Sequence, residues 1–172
     1  MNGKFPDGFV LAVCKNANPG VPKVQVDSIQ LLEEFGVEGD YHAGKKIRHR
    51  YLAKKNPEQP NHRQVLLIDA QILGDLQKVG IKLVPGQMAE NLVCYGINVM
   101  ALEIGTRLTA GEALLEITEV RDPCKQLNNS HPDLYKAVIR EINGKQVYTA
   151  GIFARVIRGG KVDTGNSIYV HG

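Results

Sequence analysis

Residues 107–120 read RLTAGEALLEITEV, two apolar segments separated by one glycine-containing turn. The first segment covers residues 107–111 and the second covers residues 113–120. A connection this short is typical of a β-hairpin, in which two antiparallel strands lie side by side. The stretch therefore predicts a pair of adjacent strands in a β-rich fold.

Apolar segments on both sides of this hairpin predict further strands. They lie at residues 9–14, 65–68, 152–157 and, after a turn at Gly159-Gly160, near residues 167–170. Helical signals are fewer. Residues 69–79 predict a helix that Gly80 ends, and its shared apolar face would comprise Ile72, Leu73, Leu76 and Val79.

A second helix is indicated after Ser130-His131-Pro132-Asp133, which resembles a capping box. It would turn Leu134, Ala137 and Val138 inward. With 18 glycines, many short strands and two or three helices, the chain predicts a compact β-barrel or β-rich α+β fold. Its 172 residues suit one domain, residues 1–172, with a proper apolar core.

Cysteine usage and hydropathy bear on the compartment. The chain has three cysteines with no close pair, which favours neither a disulfide framework nor a zinc ribbon. Residues 1–6 lack the apolar core of a signal peptide, and no later apolar run is long enough to cross a membrane. We therefore expect a cytoplasmic protein without membrane association.

The net charge of +3 is mild, but positive residues concentrate between His42 and Arg63. The prolines and asparagines in this segment predict a long basic loop. It is either a solvated loop or an electropositive rim that attracts a small anionic ligand. Nucleic acid is not expected, because Tyr51 is the segment's one tyrosine, phenylalanine or tryptophan and no recognisable nucleic-acid module is present.

Arg121-Asp122-Pro123-Cys124 places a cysteine beside an arginine where a short helix could begin. Asp favours the N-cap and Pro the first helical position, which would put Cys124 in the first turn. The helix dipole and a guanidinium would both favour a thiolate there. A thiolate can attack, carry sulfur or bind a soft metal; the alternative is a buried cysteine that packs as a small apolar residue. Cys14 and Cys94 lie in strand-like apolar segments and are expected in the core.

Polar residues also follow glycines in several turns. The segment 39–44, GDYHAG, presents Asp40 and His42 together, either as a plain turn or as a ligand-binding loop. Arg63 precedes a predicted strand, and Glu90-Asn91 lies in a turn that leads into another. Period-two alternation places Arg155 on the same strand face as Phe153 and Ile157. If that face is internal, Arg155 needs an ion-pair partner such as Asp40 or Glu90, or an anionic ligand.

Together these segments resemble the MOSC domain, the C-terminal domain of molybdenum cofactor sulfurases. The resemblance runs from about residue 37 to residue 170, and the residues before it would form the opening strands of the same domain. It rests on five motifs in the family's order, which are GDYHAG at 39–44, RQV at 63–65, PG with ENL at 85–92, RDPC at 121–124 and GIFARV with GG at 151–160.

The resemblance implies a fold built around a β-barrel and a role with the molybdenum cofactor (molybdopterin). The family's signature cysteine maps to Cys124, which would carry sulfur as a persulfide or ligate molybdenum. The other motif positions would line the cofactor pocket, and they map to Asp40, His42, Arg63, Glu90, Asn91, Arg121 and Arg155. The chain is too short to hold the pyridoxal phosphate domain of full-length sulfurases, so pyridoxal phosphate is not expected within it.

Three functions remain open at this level. Cys124 could accept sulfur from a separate cysteine desulfurase and pass it on, for instance to a molybdoenzyme. It could instead be a molybdenum ligand in a reductase of N-hydroxylated compounds, with His42 or Asp40 supplying protons. The third function is non-enzymatic, a binding module for an anionic small molecule in which Cys124 is inert.

Overall fold

The computed structural model describes residues 3–172. Its strands are β1 Gly8–Lys15, β2 Val24–Val26, β3 Ser28–Leu32, β4 Gly36–Val37, β5 Val65–Asp69, β6 Leu92–Tyr95, β7 Arg107–Ala110, β8 Ala113–Val120, β9 Ile139–Ile142, β10 Lys145–Tyr148, β11 Ile152–Arg158, β12 Gly160–Asp163 and β13 Ser167–His171. The helices are α1 Arg50–Lys55, α2 Ala70–Lys78 and α3 Leu134–Ala137, with 3₁₀ turns at Val99–Ala101 and Lys125–Asn129. None of the helices in this part of the chain has the length and apolar character needed to cross a bilayer.

A closed barrel of seven strands forms the body of the protein, as the sequence predicted. The strands follow one another around it in the order β1, β6, β5, β11, β8, β7 and β13, and β13 pairs with β1 to complete the ring. Only the β5–β6 pair is parallel, and the other pairs are antiparallel. Closure removes the free sheet edges that an open sheet of this length would expose.

The predicted hairpin is β7 and β8, paired in the register Leu108 with Leu115 and Ala110 with Ala113. Alternate residues of β8 point inward, so Ala113, Leu115 and Ile117 are buried while the residues between them are half-buried. The inward side chains of all seven strands form one apolar cluster inside the barrel. This alternation fixes the register, because a shift by one residue would expose every core side chain.

A second apolar cluster lies outside the barrel, where α2 covers Ile68 and Val93. Asp69 caps α2 by accepting a hydrogen bond from Ile72 N at 3.2 Å, in agreement with the predicted helix start. The helix ends at Lys78, and the predicted core residue Val79 is 70% exposed. Leu127 and Leu134 join the same cluster and anchor the segment that follows Cys124.

Two predictions about helices were wrong in detail. The basic segment is not a continuous loop, because residues 50–55 form α1, a six-residue helix with no buried residue. Leu52 and Ala53 are half-buried, and a helix this short depends on such contacts because isolated helices of this length are unstable in water. The capping box does not form either: Ser130 Oγ donates to Gln87 O at 2.6 Å, and α3 begins only after Asp133 and spans four residues.

Candidate functional site

A pocket of about 280 Å³ lies against the outer face of the barrel, beside β5 and β11. Its volume is close to the lower end of the range for small-molecule sites. Loops from distant parts of the sequence converge on this pocket. The residues that line it are Pro19, Gly20, Val21, Lys23, Tyr41, His42, His49, Arg50, Tyr51, Arg63, Leu66, Ala89, Asn91, Arg121, Asp122, Cys124, Lys125, Gln126 and Phe153. Five of these side chains are lysine or arginine and one is a carboxylate, so the wall favours an anionic ligand.

Cys124 is the exposed cysteine of the three, and it opens into this pocket. The structure shifts its predicted position: Cys124 is itself the N-cap of the 3₁₀ turn Lys125–Asn129, and Asp122 and Pro123 precede the turn. Cys14 and Cys94 are core residues, as predicted, and burial raises the pKa of each thiol to about 12. Cys124 is thus the thiol that is placed to react or to bind.

Arg63 holds the chain just before Cys124 in place. Its Nε and Nη2 donate to the two carboxylate oxygens of Glu119 at 2.9 and 3.0 Å, and Nη2 also donates to Asp122 Oδ1 at 2.8 Å. The guanidinium lies over the ring of Phe153, 4.9 Å from its centroid. Arg63 was predicted to contact a cofactor, and it does line the pocket, but most of its donors fix Glu119 and Asp122.

Arg121 is buried beside Cys124 and is anchored to two backbone carbonyls. Its Nη1 donates to Met88 O at 2.6 Å and to Ala150 O at 3.3 Å. Burial lowers the pKa of Arg121, and the nearby carboxyl groups of Glu90 and Asp122 oppose that effect. An arginine keeps its charge throughout the physiological range, so a fixed cation lies next to the thiol.

Glu90 and Asn91 occupy the turn before β6, and the two side chains differ in role. Glu90 is fully buried, accepts a hydrogen bond from Met88 N at 3.0 Å, and does not line the pocket. Burial raises the pKa of Glu90. Asn91 lines the pocket, while its amide donates to Cys14 O and accepts from Leu66 N, both at 3.1 Å. Glu90 therefore supports the pocket from beneath instead of contacting a ligand.

Asp40 and His42 meet a residue that the sequence analysis did not single out, Lys23. Lys23 Nζ lies 2.8 Å from each carboxylate oxygen of Asp40 and 3.4 Å from His42 Nδ1. Burial alone would raise the pKa of Asp40, but the adjacent His42, the charge of Lys23 and the backbone N–H of Asn16 hold it well below its usual value. His42 and Lys23 line the pocket, and the buried carboxylate of Asp40 joins them from behind.

Arg155 does not belong to this site, and its predicted partners were wrong. Its guanidinium donates to Glu116 Oε1 at 3.0 and 3.1 Å and to Glu34 Oε1 at 3.3 Å, on the outer surface of the barrel. The alternation of β11 was read correctly, but the face that carries Arg155 points outward. An ion pair with two glutamates explains Arg155 without a ligand.

His49 is a further pocket residue whose role the sequence analysis did not identify. Among the side-chain nitrogen and oxygen atoms of residues 3–172, the Nδ1 of His49 is the one that is buried and has no hydrogen-bond partner. A buried polar atom without a partner carries a free-energy cost, and a ligand atom can remove that cost. No sequence pattern marks His49, because its burial comes from the packing of the segment before α1.

A second, larger cavity of about 690 Å³ lies beside α2 and the segment after β6. It contains none of the predicted site residues, and its wall has no cysteine, histidine or lysine. Volume alone would favour this cavity, whereas the exposed thiol, the cationic side chains and the unpartnered nitrogen favour the smaller pocket. We therefore assign the candidate site to the pocket at Cys124.

Comparison with known proteins agrees with the fold and with the motif order. The model of the MOSC domain family matches residues 38–169, and this chain belongs to that family. Lys23 precedes the matched residues.

Individual relatives are more distant. Protein YiiM from Escherichia coli strain K12 is 29% identical over an alignment of 135 positions, which covers 70% of this chain. The chain spans about half (51%) of that relative's length. The crystal structure of the YUAD protein from Bacillus subtilis superposes with a TM-score of 0.79 at 22% identity, over 96% of both chains. YiiM from Geobacillus stearothermophilus superposes with a TM-score of 0.64 at 20% identity, over 95% of this chain and 74% of that one. At these identities the superpositions establish the shared fold.

Proposed function

We propose that this protein binds the molybdenum cofactor in the pocket at Cys124, with the Cys124 thiolate as a sulfur carrier or as a molybdenum ligand. The observation that carries the proposal is the joint placement of the exposed thiol and the cationic wall. Thiolates are ligands for soft metal centres, and lysine and arginine bind phosphate. Membership of the MOSC family supports the same ligand.

The residues of the pocket fit such a group. Arg50, Arg121 and Lys125 offer positive charge to an anionic cofactor, and His49 Nδ1 offers a polar contact that the protein itself leaves unfilled. Leu66 and Phe153 supply an apolar surface on the barrel side. When bound, the cofactor would supply a metal centre that exchanges electrons or sulfur.

The protein's own contribution is to hold Cys124 as an accessible thiol in a pocket lined by cationic side chains. Arg121 places a cation beside it, and Arg63 fixes Asp122 two residues before it. In the carrier version, the thiolate attacks the outer sulfur of a persulfide on a cysteine desulfurase. A new S–S bond forms at Cys124, the donor's S–S bond breaks, and the donor leaves as a thiolate.

The direct test is to produce the protein in a host that makes the cofactor and to measure bound molybdenum and pterin. We expect both in the wild type, loss of both in Cys124→Ser, and retention in Cys14→Ser, the matched core control. A wild type without molybdenum or pterin would contradict cofactor binding, and equal loss in Cys14→Ser would contradict the special role of Cys124.

The carrier and ligand versions separate in a second measurement. The protein is incubated with a cysteine desulfurase and free cysteine, and Cys124 is analysed by mass spectrometry. A gain of one sulfur atom at Cys124, absent in Cys124→Ser, supports the carrier version. Bound molybdenum without this gain supports the ligand version, and reduction of N-hydroxylated compounds is then the activity to assay.

A further inference from the structure

Lys23 is buried at the edge of the pocket with a complete set of partners. Its side chain is 2% exposed, and that of Asp40 is fully buried. The three acceptors around Nζ are the two carboxylate oxygens of Asp40 and the Nδ1 of His42. An ammonium group has three N–H donors and a neutral amine has two, so the three contacts match the charged form paired with the Asp40 carboxylate.

Both carboxylate oxygens of Asp40 already accept hydrogen bonds from groups other than the ring of His42. Its Oδ2 accepts the backbone N–H of His42 at 3.0 Å in addition to Lys23, and its Oδ1 accepts the backbone N–H of Asn16, also at 3.0 Å. The distance from His42 Nδ1 to Asp40 Oδ2 is 3.6 Å, longer than a hydrogen bond. Nδ1 of His42 is thus placed to accept a hydrogen bond from the ammonium group of Lys23, at 3.4 Å.

We propose that Lys23 is a positioning residue that, together with Asp40, holds His42 as a neutral imidazole with its proton on Nε2, so that His42 presents a hydrogen-bond donor to the pocket. The ligand atom it meets is then an acceptor, such as the oxygen of an anionic or carbonyl group. The identity of that ligand rests on the proposed function, whereas the tautomer is a property of the protein alone. Because Nδ1 accepts the hydrogen bond from Lys23 in this arrangement, it is not available to take a proton from a ligand.

The charges around His42 agree with a neutral ring. Burial lowers the pKa of His42, the nearby carboxylate of Asp40 opposes this, and the positive charges of Lys23 and Arg121 lower it further. His49 lies close enough to His42 for the two rings to interact electrostatically. Since His49 is also uncharged above its own lowered pKa, it adds no charge to the site at neutral pH.

The tautomer can be measured in the protein without any cofactor by two-bond ¹H–¹⁵N NMR correlation of the histidine rings. The His42 signals are assigned by their loss in His42→Gln. We expect a neutral ring protonated at Nε2 at pH 7. A ring protonated at Nδ1, or at both nitrogens, would overturn the proposal whatever the cofactor measurements show.

Lys23→Met tests the cause of this tautomer. Removal of the ammonium frees Nδ1 and leaves the Asp40 carboxylate to attract a proton, so the pKa of His42 should rise by about one pH unit or more. The rings of His62 and His171, both exposed, serve as internal controls and should not move. An unchanged His42 tautomer and pKa in this variant would show that Lys23 does not set them.

The double variant Lys23→Met, Asp40→Asn covers the case in which a buried, unpaired Asp40 prevents folding. It removes both charges, so the rise in the pKa of His42 should disappear while the preference for Nε2 is weakened. Lys23→Arg, in contrast, should keep the wild-type tautomer, because arginine also places a charged donor at this position. A purely structural role for Lys23 would change stability in these variants but leave the ring signals of His42 as they are in the wild type.

Discussion

At the scale of single residues, the three cysteines show how surroundings decide chemistry. Cys14 and Cys94 lie in the core with thiol pKa values raised to about 12, and Cys124 is exposed in a cationic pocket. The thiolate is the reactive form, so burial makes the first two inert in two ways, by steric protection and by protonation. Cys124 is therefore the cysteine to which the proposed function assigns the chemistry.

The resulting prediction concerns thiol counting. In the native protein at pH 8 we expect one thiol to react rapidly with a disulfide reagent, and three after unfolding in guanidinium. Cys124→Ser should leave no rapidly reacting thiol. Fast reaction of a second thiol in the native wild type would show that the core cysteines are more accessible than the structure indicates.

Arg63 and Arg155 provide a second comparison, since the side chain of Arg63 is 8% exposed and that of Arg155 is 32% exposed. We predict that Arg63→Met lowers both cofactor content and the free energy of unfolding, the latter by about 2 kcal/mol, because it removes three charge-assisted hydrogen bonds of a buried guanidinium. Arg155→Met removes only surface ion pairs and should cost about 0.5 kcal/mol without loss of cofactor. Urea unfolding and molybdenum analysis check both.

Sequence motifs predict part of the candidate site and miss the rest for physical reasons. Five of the residues that the motif order predicts do line the pocket, namely His42, Arg63, Asn91, Arg121 and Cys124. Arg155 lies on the same outward face as the pocket residue Phe153 but two residues further along β11, where it pairs with Glu116 and Glu34. Alternation reveals which residues share a face but not how far along the strand a pocket extends. Lys23 and His49 were missed as site residues because their burial comes from contacts with segments far away in the sequence, which a local pattern does not contain.

Among the elements, the turn before β6 connects two segments that line the pocket, those of Asn91 and Lys23. Gly86 has φ +96°, and its carbonyl accepts the backbone N–H of Lys23 at 2.8 Å. A Cβ at this position would lie 2.1 Å from Lys23 O. The turn thereby joins the strand that follows Asn91 to the segment that carries Lys23.

We predict that Gly86→Ala lowers the free energy of unfolding by about 3 kcal/mol, from backbone strain and from the clash with Lys23. Gly80→Ala is the matched control, because Gly80 has φ +87° but open space around it. That variant should cost about 1 kcal/mol, the strain alone. Equal losses in the two variants, measured by urea unfolding, would mean that the close approach to Lys23 is unimportant.

The helices were harder to predict than the strands. α2 has a capping Asp69 and a clear apolar face, and its start followed from the sequence. α1 has no buried residue, so no hydrophobic period reveals it. Each strand of the barrel turns one face inward, so apolar residues recur at alternate positions, and this alternation is visible in the sequence.

At the scale of the whole molecule, the barrel and the β9–β10 hairpin differ in stability. Barrel strands such as β11 pair on both sides, with β5 and β8, whereas β9 and β10 pair only with each other and are mostly exposed. We predict that amides of residues 139–148 exchange with deuterium within seconds to minutes while those of residues 152–157 are protected for hours. Mass spectrometry of peptic peptides checks this, and comparable protection of the two segments would contradict it.

A cofactor that occupies the pocket at Cys124 would shield the Cys124 thiol, and the rate of alkylation of Cys124 measures that shielding. Protein purified with bound molybdenum is compared with the same protein stripped of it, each treated with iodoacetamide and analysed by mass spectrometry. We predict that the stripped protein is labelled once, at Cys124, and that bound cofactor slows this labelling by about tenfold or more. Equal labelling rates in protein that still holds molybdenum would place the cofactor elsewhere and contradict the account.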